Sequence, residues 1–159
     1  MAKKDAAASL PEEMDADHAE LRVYELGFHI DPELGTEEVK KTYQAIRTLA
    51  EAGSIVAEGE PTKIPLAYTI SRSETSGRRD FDSSFFAWIA YEATGEGHNK
   101  VLEAAGADKR IFRFLDIRTD KEAAKHSAEM HEIMAKMEPV ETEEEVSDAE
   151  LDAALKEVA

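Results

Sequence analysis

The sequence predicts an α+β sandwich in the order β-α-β-β-α-β, with a four-stranded antiparallel sheet and two helices on one face. Three observations carry this reading. Apolar side chains alternate with period two over residues 21–30, as in a strand with one buried face, while residues 81–93 carry them on both faces of a strand. Between them, residues 36–50 carry an apolar stripe of period 3.6, the mark of a helix lying on a sheet. Pro61 and Pro65 interrupt the segment that precedes this second strand, and a strand tolerates missing backbone donors only at an edge or a bulge.

In strand one, Tyr24, Leu26, Phe28 and Ile30 point one way and Val23, Glu25, Gly27 and His29 the other. Asp31-Pro32 turns the chain. Thr36 caps a helix whose Val39, Tyr43, Ile46, Leu49 and Ala50 share a stripe, and Gly53 ends it. Residues 55–71 form the proline-marked edge strand. Residues 72–80, RSETSGRRD, are rich in Ser, Thr, Gly and Arg and read as a linker. In strand three, Phe85, Ala87, Ile89 and Tyr91 take one side and Phe86, Trp88 and Ala90 the other, so both faces need cover. Gly95-Glu96-Gly97 reads as a turn. A short helix follows over 99–105, with Val101, Leu102 and Ala105 apolar and Gly106 as its stop. IFRFLDIRT, 111–119, supplies strand four. This order is the split β-α-β sandwich of ferredoxin-like domains, and right-handed crossovers place strands one and three in the centre.

The chain has 159 residues, of which 42% are apolar, enough for one compact core. Its formal net charge of −16 is unevenly spread. Residues 1–20 carry −4, residues 21–119 only −3, and residues 120–159 carry −9. The predicted organisation is therefore a disordered leader (1–19), one domain (20–119) and an acidic, partly helical tail (120–159). Charges more than about 8 Å apart are largely screened at physiological salt, so acidic tails leave room for a basic patch on the core. In the tail, Ala123, Met130, Ile133, Met134 and Met137 have helical spacing, and Ser147-Asp148-Ala149-Glu150 is a capping box before Leu151.

Cysteine is absent, which removes disulfides, thiolate metal sites and cysteine nucleophiles. The longest apolar run, FFAWIAY, is far short of the roughly 20 residues of a membrane helix, and the N-terminal residues lack the apolar stretch of a signal peptide. A soluble, cytoplasmic protein without a membrane association is expected. The five histidines are scattered, and His126 and His131 are five apart, off the i, i+4 spacing of a ligand pair. No glycine-rich phosphate loop occurs and no carboxylate pair is placed for acid–base work, so neither metal, cofactor, small-molecule substrate nor enzymatic activity is expected.

The arginines are more informative. Arg22 opens strand one, Arg110, Arg113 and Arg118 line strand four, and Arg78 and Arg79 sit in the linker. Strands one and four are expected neighbours, and a guanidinium's planar fork of donors fits phosphate oxygens. Equally, these charges can be solvated and paired with Glu or Asp. Sheet aromatics that read RNA as in RRM domains would need an RNP1-like segment, and FFAWIAYEA lacks its basic and glycine positions.

Taken in order, RVYELGFHIDP, PLAYTIS after the Lys63 turn, FFAWIAYEA and ADKRIFRFLDIRT resemble the bacterial small-subunit ribosomal protein S-six family over about residues 21–119. The resemblance implies a ferredoxin-like, non-catalytic ribosomal protein that binds the central domain of small-subunit rRNA together with ribosomal protein S-eighteen. It implies RNA contact for Arg22 and Tyr24 at the start of strand one and for Arg113 and Arg118 on the last strand, with Arg78, Arg79 and Arg110 added from the arginine pattern. It gives Leu66, Ala67 and Tyr68 a partner-protein edge, to which the two-faced aromatics Phe86 and Trp88 add an apolar surface. Thr69 stands where the family often has proline. Two readings compete: a stand-alone ferredoxin-like regulatory module whose acidic tail binds a basic protein, and an acylphosphatase-like enzyme, whose glycine-rich phosphate loop this sequence lacks.

Overall fold

A computed structural model describes residues 20–137. The expected leader and the expected capping box at Ser147 lie outside those residues. The chain divides into two units, residues 1–129 and 130–159, and the first holds the sheet.

The elements are β1 (Arg22–Ile30), α1 (Thr36–Glu51), β2 (Ser54–Glu74), β3 (Gly77–Ala93), α2 (Gly95–Ala107), β4 (Ile111–Thr119) and α3 (Lys121–Lys136). The strands lie in the order β2-β3-β1-β4, every neighbouring pair antiparallel, so β1 and β3 are central as the crossover rule requires. Directly opposed residues share a face. The register Leu26↔Ile89 and Phe28↔Ala87 therefore joins the two alternating patterns into one apolar surface. Val39, Tyr43, Ile46 and Ala50 of α1 and Val101 and Ala105 of α2 pack on it. Leu49, expected on the α1 stripe, stays 37% exposed.

Three local readings are corrected. Residues 72–80 are not a linker: β2 and β3 continue to a two-residue turn at Thr75-Ser76, with Glu74 opposite Gly77. Gly77 has φ +120°, a conformation closed to other L-residues without strain, and its freedom lets the turn be this short. The glycines at 95 and 97 form the first turn of α2 rather than a loop, because the Thr94 hydroxyl accepts from the Gly97 N–H at 3.2 Å and caps the helix. Gly106 does not stop it, and α2 runs on to Ala107.

The prolines act as expected for an edge. Pairing of β2 with β3 shifts register between Gly59 and Thr62 and again between Pro65 and Ile70. A third helix, α3, meets the sheet face opposite α1 and α2, where Ala124 and Ala128 pack with Trp88, Ala90, Val56, Ala57 and Phe86. Gly59 makes room there: a Cβ on it would lie 2.1 Å from the Trp88 indole nitrogen.

Candidate nucleic-acid and partner interface

β4 is an edge strand, and its outer length is exposed: Arg113, Phe114, Leu115, Ile117 and Arg118 all face solvent. Pairing to β1 orients them. Arg113 lies opposite His29 and Arg118 opposite Tyr24, with a register shift between His29 and Ile30 that absorbs Phe112. The two arginines therefore sit on opposite faces, about 17 Å apart along the strand at ~3.4 Å per residue. Arginines strung along an edge in this way match a run of phosphates better than a single anion.

The remaining arginines differ in their surroundings. Arg79 is not a linker residue but a β3 residue. Its Nη1 and Nη2 donate to Asp31 Oδ2 and Oδ1 at 2.6 and 2.7 Å, and Nη2 also donates to Glu33 Oε2 at 2.7 Å. Its guanidinium lies 4.6 Å from the Phe81 ring centroid. Asp31 is buried, which pushes its carboxyl up. The hydrogen bonds from Arg79 and the Glu33 backbone outweigh that and hold it below the usual carboxylate range. Arg110, expected on strand four, precedes it. It grips Asp108 at 2.8 Å and Glu38 at 3.1 Å, tying the start of β4 to α1. Arg78 faces Asp80 at 3.1 Å in an exposed pair, Arg22 meets Glu20 at 3.1 Å, and Arg72 pairs with Glu74 while donating to the Lys109 carbonyl at 3.0 Å. Among the described residues, no carboxylate lies in ion-pair reach of Arg113 or Arg118.

The structure brings together two residues that sequence reasoning assigned to different partners. The β2–β3 hairpin outruns β1 and reaches the far edge, where Arg113 Nη1 donates to the Tyr68 hydroxyl at 3.0 Å. Phe81 stacks on Phe112 beside this contact, with ring centroids 4.1 Å apart and planes 1° from parallel. His29 lies 5.1 Å from Phe86 and 5.7 Å from Phe112, and its Nδ1 shares a 2.7 Å hydrogen bond with Ser84 Oγ. Burial, and then the charge of Arg113, lower the His29 pKa, so the ring is neutral near pH 7. His29, Phe86, Gly27, Arg113, Leu115 and Ile117 line a cavity of about 330 Å³ on this face.

Of the other expected site residues, Ala67 and Tyr68 are exposed and Leu66 half-buried in the irregular stretch of β2. Phe86 is half-buried. Two residues are not where an exposed role needs them. Trp88 is 6% exposed because α3 covers it. Tyr24 is 8% exposed, on the helix-covered face, stacked on His98 with ring centroids 3.5 Å apart.

His98 was missed because it reads as a lone histidine beside a turn. The cap at Thr94 instead places it in the first turn of α2, facing the sheet. It shares a 2.8 Å hydrogen bond between Nδ1 and the Tyr91 hydroxyl and a 3.0 Å contact between Nε2 and Asp116 Oδ2. A proton on Nε2 satisfies both partners. Burial raises the Asp116 carboxyl, partly offset by His98. With Tyr91 fully buried, this network stitches α2 to β3 and β4.

A four-stranded sheet with helices on both faces, and an arginine-bearing edge left uncovered, defines a ferredoxin-like domain whose polar chemistry lies on its surface. No family model matches the sequence. The chain is 27% identical over 119 residues to small ribosomal subunit protein bS6 of Porphyromonas gingivalis, across 74% of this chain and 95% of that protein. The crystal structure of 30S ribosomal protein S6 from Thermotoga maritima superposes with a TM-score of 0.53 at 18% identity, covering 74% of this chain and 99% of that one, a likeness of fold. The chain is thus similar in sequence to a bacterial small-subunit ribosomal protein S-six over most of its length, and similar in fold to another.

Proposed function

We propose that this protein is a non-catalytic structural constituent of the small ribosomal subunit, that it works on the cytoplasmic ribosome, and that it binds the central domain of small-subunit rRNA together with ribosomal protein S-eighteen. Similarity to small ribosomal subunit protein bS6 in sequence and to 30S ribosomal protein S6 in fold supports the small-subunit role. The observation that carries RNA contact is the state of Arg113 and Arg118: exposed on a free edge, without a carboxylate partner among the described residues. Phosphate oxygens complete such a guanidinium without first breaking an ion pair. Arg22, two residues before the Tyr24 that lies opposite Arg118, extends the same end, and Arg78 adds an exposed charge at the hairpin. Arg79 and Arg110 act instead on the fold that holds the edge. A basic partner protein on Leu66, Ala67, Tyr68 and Phe86 adds positive charge that this acidic chain lacks.

Binding to a central-domain rRNA fragment, measured with and without S-eighteen across a salt series, tests the reading. Tighter binding in the presence of the partner, weakened by Arg113→Ala/Arg118→Ala, is the expected result. Absence of binding in both arms overturns it. Failure to co-sediment with small subunits in lysate favours the stand-alone regulatory module.

A further inference from the structure

The described helix α3 carries two apolar faces, and the fold uses one of them. At 100° per residue, Ala124 and Ala128, which pack on Trp88 and its neighbours, lie within about 40° of each other around the helix. Met130, Ile133, Met134 and Met137 fall at i, i+3, i+4 and i+7, centred about 150° around the helix from the alanine face. The stripe is therefore not a continuation of the buried side. Its members are 43%, 51%, 68% and 67% exposed. Three methionines in four positions make a surface that adapts to the shape of what it meets.

Charge selects the occupant. The 22 residues that follow the stripe, 138–159, hold nine acids and one base, a net charge of −8. A second copy of this chain would bring the same charge against itself, and two turns of stripe bury far less than the ~1,200 Å² of a stable interface. A cationic segment with its own apolar stripe meets both features at once. We infer that Met130, Ile133, Met134 and Met137 form a docking stripe for a basic amphipathic helix of a partner protein, steered by the acidic residues that follow it. Helix-on-helix recognition through i, i+3, i+4, i+7 anchors is the mode this spacing fits, and opposite charge raises the encounter rate in a salt-dependent way. This inference uses none of the edge proposed for RNA.

The test uses the full chain and three labelled 20-residue probes: a Leu/Lys peptide with a helical leucine stripe, the same composition scrambled to destroy the stripe, and the striped peptide with Gln for Lys. The striped cationic peptide is expected to bind at least tenfold tighter than either control. The exposed double variant Ile133→Gln/Met134→Gln should lose about tenfold of that affinity with an unchanged melting temperature. Equal binding of the scrambled peptide means unspecific charge attraction and overturns the proposal. Undiminished binding by the double variant overturns it by placing the peptide elsewhere. A dimer in sedimentation that the double variant dissolves assigns the stripe to a second copy and overturns it as well.

Discussion

Arg79 and Arg113 stand at the same end of one sheet, and their surroundings could hardly differ more. Arg79 lies against Phe81 with a bidentate grip on the buried Asp31 and a further contact to Glu33. Arg113 stands on an exposed edge and touches a single phenol, that of Tyr68. By residue type and local sequence both read as anion-binding arginines. Moving Arg79 onto phosphate means stripping Asp31 of its partner in a half-dry site, while Arg113 accepts phosphate at the cost of little more than water. The number of arginines therefore says less about a nucleic-acid surface than the number of carboxylates already in reach of each.

Replacing Arg79 with Ala should have the largest effect. Asp31 is left buried without its counter-charge, and thermal or urea unfolding should show a loss of about 2–3 kcal/mol. The same variant should change the response to acid. Folded Asp31 binds a proton less readily than the unfolded chain does, so its contribution is present above the ordinary carboxylate range and is lost as pH falls through the lowered value. Stability of the parent should therefore fall more steeply below about pH 4 than that of Arg79→Ala. Parallel pH profiles would erase the distinction between the two arginines.

Next in size, Arg113→Ala/Arg118→Ala should keep stability within about 0.5 kcal/mol of the parent and lower rRNA affinity roughly tenfold, with the slope of log affinity against log salt reduced by about 1.5. A large stability loss here would move these residues into the structural set. The smallest effect is expected from Tyr68→Phe. It removes one exposed hydrogen bond to Arg113, worth about 0.5–1 kcal/mol at most, and frees the guanidinium, so RNA affinity should hold. If affinity drops as far as in the arginine variant, the phenol is part of the contact.

Much of the fold was legible because it follows from periodicity. Tyr24, Leu26, Phe28 and Ile30 alternate as a half-buried strand must, and the structure packs all four in one core. Pro61 and Pro65 could only sit on an edge, and β2 is one. The linker reading failed because Ser, Thr and Gly are turn formers in isolation, while cross-strand pairs such as Ser71 with Asp80 extend the hairpin through them. The site was less legible. Tyr24 looks like an exposed aromatic until His98 is folded onto it, and Trp88 until α3 covers it, since burial depends on elements distant in sequence.

By itself the sequence determined the order of elements, the central and edge strands and the faces of β1 and β3, because each follows from local stereochemistry and apolar spacing. It also determined the acidic tail, since charge is additive along a chain. Only the tertiary structure decided which arginines are already paired, that Tyr68 meets Arg113 across the sheet, and that α3 buries Ala124 while exposing its methionines. Those outcomes depend on distances between residues tens of positions apart, and on which of two apolar faces reaches a surface first.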